Sequence, residues 1–129
     1  MKKILFVDDD KIHLAIIENI LENEFEIITA NSGKEALNKF IKGLTPHLIF
    51  LDLLMPNMDG WETYNRLKAI SLLKNIPIAF FTSVQETNEK AYAFRIGAVD
   101  YIRKPFEKEV LKNKIEMILE KSNGGMSSW

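Results

Sequence analysis

Short runs of apolar residues alternate along this chain with longer stretches in which apolar positions recur every three or four residues. The short runs are rich in β-branched and aromatic residues, as strands are, and the longer stretches have the spacing of amphipathic helices. Because the two kinds of segment alternate about five times, the pattern predicts βαβ units and a parallel sheet. The predicted strands are residues 4–7, 26–30, 47–52, 77–81 and 99–102.

Capping residues and glycines mark where the helices begin and end. Ser32, followed three residues later by Glu35, predicts a capping box at the start of the second helix. Gly43 is expected to end this helix, Pro46 prevents it from continuing, and Gly97 ends the fourth helix. The other helices are predicted at residues 12–20, 61–70, 87–96 and 106–121.

Four of the apolar runs stop abruptly at polar side chains. These side chains, in chain order, are Asp8, Asp9 and Asp10, then Asp52, then Thr82 and Ser83, then Lys104 ahead of Pro105. Parallel strands end at one edge of a sheet, and open α/β folds bind their ligands at that edge. The sequence therefore predicts that acids, hydroxyls and a lysine gather there.

Composition and charge exclude several classes of protein. The chain has 129 residues, the usual size of one domain, and its 17 basic and 18 acidic residues give a formal net charge of −1. No basic field therefore points to direct nucleic-acid binding or to a membrane surface. The chain has no cysteine, which excludes disulfides and thiol chemistry. Its first apolar run is too short for a signal peptide or a membrane span, so we expect a soluble cytoplasmic protein.

Clustered carboxylates in a partly dry site repel one another, and a proton or a divalent cation relieves the repulsion. Oxygen ligands favour magnesium or manganese, and magnesium leaves positions for phosphate oxygens. A lysine and a threonine beside such a cluster suit phosphoryl chemistry. One carboxylate can become an aspartyl phosphate while the metal and the lysine neutralise the phosphoryl oxygens.

Five motif blocks occur in order along residues 1–121. They are Val7-Asp8-Asp9-Asp10, Asp52 ahead of Met55-Pro56 and Asp59-Gly60, Thr82-Ser83, Tyr101, and Lys104-Pro105-Phe106. Together they resemble the receiver domain of bacterial two-component response regulators. The resemblance implies a single doubly wound (βα)5 flavodoxin-like domain, with a parallel five-stranded sheet of order 2-1-3-4-5 and helices on both faces. Residues 122–129 would be a flexible C-terminal tail or the start of a linker.

The resemblance assigns roles to the acidic residues. Asp52 is the expected phosphoacceptor. The expected metal ligands are Asp9 and Asp52 directly, Asp8 through water, and the backbone carbonyl of Leu54. Asp10 matches no required role in the family, and we expect it to cap the first helix.

The remaining matches concern the phosphoryl group and the switch. Lys104 is expected to pair with the phosphoryl group, and Pro105 to follow a cis peptide bond. Thr82 is the expected switch hydroxyl, and Tyr101 the aromatic that changes rotamer as Thr82 moves.

Three further residues are expected to tune the lifetime of the phosphoryl group: Leu54, Ser83 and Val84. Leu54 and Val84 flank the expected path of the attacking water, and neither can orient a water by hydrogen bonding. We therefore predict slow loss of the phosphoryl group.

The implied function is that of a phosphorylation-switched signalling module and not of an enzyme acting on a free substrate. A sensor histidine kinase or phosphotransfer protein would supply the phosphoryl group. The usual output surface of the family comprises the fourth helix, fifth strand and fifth helix, and its candidate residues here are Lys90, Tyr92, Ala93, Phe94, Arg95, Tyr101, Arg103, Glu107, Lys108, Val110, Leu111 and Lys112. A solvated amphipathic face explains these residues equally well, so neither a target nor a phosphorylation-dependent homodimer follows from them.

Two other classes of protein use similar residues. A metal-dependent phosphatase could form the same aspartyl phosphate, but it usually has a second acid where this chain has Leu54. A flavodoxin-like cofactor binder would want a phosphate-cradling loop after the first strand, where this chain has three acids. Taken singly, Asp8 and Asp9 suit helix caps and Lys104 a solvated charge. His13 and His47 show no partner pattern and are assigned neither a metal nor a catalytic role.

Overall fold

A parallel sheet runs through the centre of the structure, a computed structural model that describes residues 1–53, 60–71, 75–82, 87–104 and 107–124. Within these ranges the strands are β1 Lys3–Val7, β2 Glu26–Ala30, β3 Leu48–Asp52, β4 Ile78–Thr82 and β5 Asp100–Arg103. The helices are α1 Lys11–Leu21, α2 Gly33–Ile41, α3 Gly60–Ser71, α4 Thr87–Arg95 and α5 Lys108–Gly124. The predicted alternation of strands and helices is confirmed.

The strand order is β2-β1-β3-β4-β5, and every neighbouring pair is parallel. This is the predicted doubly wound order. The central strand β3 is buried at all five positions, because helices cover both of its faces. Its unbroken apolar run, Leu48-Ile49-Phe50-Leu51, reflects that double burial.

Alternate side chains of each strand enter one of two apolar cores. The first core, which includes Leu5, Ile49 and Phe80, takes its helical residues from α2, α3 and α4. The second core, which includes Phe6 and Phe50, takes them from α1 and α5. In the second core the rings of Phe6 and Phe50 stack with centroids 4.8 Å apart. The helices therefore divide between the two faces of the sheet.

Local signals at the helix ends act largely as predicted. Asp10 caps α1, since its Oδ1 accepts hydrogen bonds from the backbone N–H groups of Ile12 (3.0 Å) and His13 (3.1 Å). Ser32 caps α2, but Glu35 does not complete the reciprocal bond of a capping box. Its Oε1 accepts from the N–H of Asn31, one residue before the cap.

Two glycines that follow helices adopt the left-handed conformation in which L side chains are strained. Gly43 has φ +102° after α2, and Gly97 has φ +106° after α4. Both were predicted to end a helix.

The last helix is longer than the pattern indicated. It continues to Gly124, three residues beyond the predicted end at Lys121. No proline interrupts the chain after Lys121, and the backbone hydrogen bonding can therefore continue to the glycine. Among the described residues, no helix combines the length and the apolar character needed to cross a membrane.

Candidate functional site

Two aspartates meet because β1 and β3 pair directly in the middle of the sheet. Their register matches Val7 with Leu51, so the residues that follow these two, Asp8 and Asp52, lie at the same edge of the sheet. Both continue the alternation that directs Phe6 and Phe50 towards the α1 and α5 face. The predicted gathering of acids at the carboxyl edge is confirmed for this pair.

Asp9 joins these two residues in an acidic cluster. The carboxylate oxygens of Asp8, Asp9 and Asp52 that could serve as ligands all lie within 4.8 Å of one another. Asp8 is fully buried, Asp52 is 6% exposed, and Asp9 is exposed. Because the donors are all carboxylate oxygens and one side of the cluster is open to solvent, the set fits a hard divalent cation such as magnesium.

Lys104 brings a positive charge to the cluster from the end of β5. Its Nζ lies 2.8 Å from Oδ2 of Asp8 and 3.3 Å from Oδ2 of Asp52. The same ammonium group lies 4.7 Å from the ring centroid of Phe81, the last but one residue of β4. An aromatic face attracts a cation, so Phe81 helps to hold the lysine over the acids.

His13 is a member of this site that the sequence did not reveal. Its Nδ1 lies 2.7 Å from Oδ2 of Asp8, and its ring stacks on Phe81 with centroids 5.7 Å apart. The histidine stands in the first turn of α1, three residues after the cap Asp10. Its position in the sequence, five residues after Asp8 and in the first turn of the helix, is the signal that could have suggested a role for His13.

The ionisation of Asp8 reflects two opposing influences. Burial alone would raise the pKa of its carboxyl group, because a charge is poorly solvated there. The hydrogen bonds from His13, Lys104 and the backbone N–H of Asp10, together with the charge of Lys104, outweigh burial and hold the pKa of Asp8 well below its usual range. Asp8 is therefore a carboxylate at neutral pH, as a metal site requires.

Residues 4–116 match the family model of the response regulator receiver domain. The chain belongs to this family. Receiver domains are signalling modules of two-component systems, and the matched region includes all three acids and Lys104.

Named relatives agree with this assignment. The chain is 35% identical over 122 residues to the alkaline phosphatase synthesis transcriptional regulatory protein PhoP of Bacillus subtilis, covering 94% of this chain and 50% of that protein. It is 37% identical over 123 residues to the transcriptional regulatory protein CpxR homolog of Haemophilus influenzae, covering 95% and 52%. The chain thus spans about half the length of these curated relatives.

A solved structure confirms the fold of the receiver domain. A two-component response regulator from Clostridium difficile has a TM-score of 0.85 and 31% sequence identity, over 96% of this chain and 100% of that one.

Several predicted site residues lie outside the described part of the receiver domain. These are Leu54, Ser83, Val84 and Pro105. Thr82 ends β4 and pairs in register with Arg103, but its side chain lies outside that part as well. Their proposed roles stay predictions.

The candidate output surface of the receiver domain needs a correction. Ala93 and Leu111 are fully buried and Tyr101 is 8% exposed, so these three residues belong to the cores and not to an exposed surface. They had been included because the family's usual output surface comprises the fourth helix, fifth strand and fifth helix, whichever way each side chain faces. Tyr92 and Phe94 on α4 do keep exposed aromatic surface.

Proposed function

We propose that this receiver domain accepts a phosphoryl group on Asp52 in a magnesium-dependent reaction. The observation that carries the proposal is that Asp52 belongs to the acidic cluster and lies 3.3 Å from Nζ of Lys104. Asp8 is less suited to attack, because its Oδ1 accepts from the N–H of Asp10 and its Oδ2 meets both His13 and Lys104. The contact of Lys104 with Asp52 is longer, at 3.3 Å, than its contact with Asp8.

The donor would be a phosphohistidine on a sensor histidine kinase or phosphotransfer protein. A carboxylate oxygen of Asp52 attacks phosphorus, and a P–O bond forms as the P–N bond breaks. The electron pair of the broken bond goes to the imidazole nitrogen, which takes up a proton. Lys104 lies close enough to move from Asp8 to an oxygen of the transferred group and balance its charge.

The proposed metal ligands are Asp9 and Asp52 directly, Asp8 through water, and the backbone carbonyl of Leu54. The hard oxygen donors and the exposure of Asp9 support this assignment. When bound there, magnesium or manganese would neutralise charge on the phosphoryl oxygens. Hydrolysis then restores Asp52: water attacks phosphorus, the P–O bond to the carboxylate breaks and its electron pair returns to the Asp52 carboxylate, and inorganic phosphate leaves with the oxygen of the water and the remaining protons.

Phosphorylation would be read out as a conformational change. Thr82 is the proposed switch hydroxyl and Tyr101 the aromatic that responds to it. The proposed output surface comprises the exposed residues of α4, β5 and α5, and it would engage a partner protein, an effector domain or a second copy of the chain. An effector domain beyond residue 129 is supported by the greater length of the transcriptional regulators that resemble this chain.

The test is the intact mass of the protein after incubation with phosphoramidate and magnesium. We expect the wild type to gain one phosphoryl group only when magnesium is present, and Asp52→Asn to gain none. Asp100→Asn is the matched control, since Asp100 pairs with Lys114 away from the cluster. An adduct that survives in Asp52→Asn would contradict the proposal, and so would its absence from the wild type.

A further inference from the structure

We infer that His13 is a positioning residue of the phosphorylation site, which holds Asp8 in place when Lys104 leaves it for the phosphoryl group. The inference rests on the proposed phosphorylation of Asp52. It concerns a residue that contacts a buried acid and packs on Phe81.

The buried carboxylate of Asp8 depends on a small set of hydrogen-bond donors. Among the residues that the structure describes, the close partners of Asp8 Oδ2 are His13 Nδ1 at 2.7 Å and Lys104 Nζ at 2.8 Å. Oδ1 accepts from the backbone N–H of Asp10 at 3.0 Å. The Asp8 side chain is fully buried, so bulk solvent stabilises its charge poorly when a donor is lost.

The ammonium group of Lys104 cannot stay in close contact with Asp8 while it also binds the phosphoryl group. Its long flexible stem lets the ammonium move, and it already lies 3.3 Å from Asp52. When a buried carboxylate loses a charged partner, its charge is left uncompensated, which is strongly destabilising unless another donor remains. With Lys104 on the phosphoryl group, Nδ1–H of His13 remains as the side-chain donor to Oδ2.

His13 is held rigidly enough for this task. Its backbone N–H donates to Oδ1 of Asp10 at 3.1 Å, which fixes its place in the first turn of α1. Its ring stacks on Phe81 at an interplanar angle of 29°, and 22% of the side chain is exposed. Phe81 thus supports both donors to Asp8, the mobile lysine and the fixed imidazole.

Two variants separate the hydrogen bond from the packing. His13→Phe keeps an aromatic ring on Phe81 and removes the donor. His13→Asn loses the ring but places an amide N–H close to the position of Nδ1. A positioning role predicts that Asn restores what Phe loses, whereas a packing role predicts the opposite.

The readout is the binding of beryllofluoride, a phosphoryl analogue, in the presence of magnesium, followed by ¹⁹F NMR. Outer-shell partners of metal-site ligands typically contribute about 10- to 100-fold, so we expect His13→Phe to weaken beryllofluoride binding by at least about tenfold. His13→Asn should stay within about threefold of the wild type. Urea unfolding of each variant shows whether it is folded under the conditions of the assay.

The outcomes separate this inference from the proposed function. Wild-type binding by folded His13→Phe would overturn the role of His13, and so would equal weakening in His13→Phe and His13→Asn. If the wild type takes up neither beryllofluoride nor a phosphoryl group from phosphoramidate, then the proposed function itself is wrong. In the wild type, ¹⁵N NMR should also show a proton on Nδ1 of His13, and its absence would overturn the inference independently of phosphorylation.

Discussion

Gly60 and Asp52 are in such close contact that a Cβ atom at Gly60 would overlap the backbone carbonyl oxygen of Asp52. The N–H of Gly60 also donates to the carbonyl of Leu53 at 2.9 Å. The start of α3 is therefore packed against the backbone that carries the proposed phosphoacceptor. Only glycine fits at this point without moving one of the two segments.

Gly60→Ala should consequently disturb both stability and phosphorylation. The methyl group meets backbone atoms that cannot rotate away, and overpacking of this kind costs about 1–3 kcal/mol of the free energy of unfolding. We expect the resulting shift of Asp52 to slow phosphorylation by phosphoramidate at least about tenfold. Urea unfolding and the time course of intact mass measure the two effects.

Gly43→Ala is the matched control for Gly60→Ala. A Cβ at Gly43 would meet nothing within 4 Å, but its φ of +102° is strained for alanine and should cost about 1 kcal/mol. The control should lose stability and keep the wild-type rate. Equal rates in the two variants would contradict the proposed displacement of Asp52.

The cap of α1 gives a second prediction. Asp10→Ala removes the acceptor of two backbone N–H groups and should lower the free energy of unfolding by about 1 kcal/mol. Asp10→Asn keeps an acceptor oxygen and should lose less. The comparison requires urea unfolding of both variants at neutral pH, and equal losses would argue against capping as the cause.

The third prediction is that His47 contributes to the free energy of unfolding in a way that depends on pH. Its Nδ1 lies 2.9 Å from the N–H of Lys3, and a nitrogen that accepts this bond must be unprotonated. Partial burial and the positive charges of Lys2, Lys3 and the N-terminus lower the pKa of His47 below its usual 6.5. The folded state therefore binds protons on His47 less readily than the unfolded state does.

The sign of the His47 effect follows from linkage. The contribution is fully present above pH 6.5, the unfolded value, and is lost as pH falls from there through the lower folded pKa. His47→Asn removes the titration and keeps an acceptor. We expect the stability of the wild type relative to His47→Asn to fall between pH 8 and about pH 5. A constant difference across that range, measured by urea unfolding, would show that the prediction is wrong.

The lifetime of the phosphoryl group gives the fourth prediction. Leu54 and Val84 are the apolar residues expected beside the attacking water. The double variant Leu54→Asn with Val84→Glu should lose its phosphoryl group about tenfold faster or more, because polar side chains can orient that water. Leu54→Met is the apolar control and should keep the wild-type rate. The decay of the phosphorylated mass checks the prediction, and an unchanged rate in the double variant would contradict it.

Local sequence signals predicted the elements and several of their ends. The cap at Asp10 and the helix ends at Gly43 and Gly97 depend on residues within one turn. Such local interactions can be predicted from a short stretch of sequence. The end of α5 was less predictable, because Ser122 and Asn123 tolerate both helix and coil. The predicted helix end at Lys121 is consequently three residues early.

The sequence by itself determined the alternation of strands and helices, and hence the edge at which Asp8 and Asp52 lie. It could do so because the periods of strands and helices are patterns along the chain. The order of the strands followed from the motif blocks, which resemble those of the receiver domain. The burial of individual side chains was harder to predict from the sequence. The family's output surface grouped Ala93 and Leu111 with exposed residues, and the packing of α4 and α5 on the sheet shows that these two side chains are buried.

Only the tertiary structure decided which partners the acids have. The contact of Lys104 with Asp8 joins residues 96 positions apart, and the stacking of His13 on Phe81 joins α1 to β4. The approach of Gly60 to the backbone of Asp52 likewise depends on how α3 packs after β3. These relationships arise from strand register and side-chain packing in three dimensions, which no periodicity along the chain records.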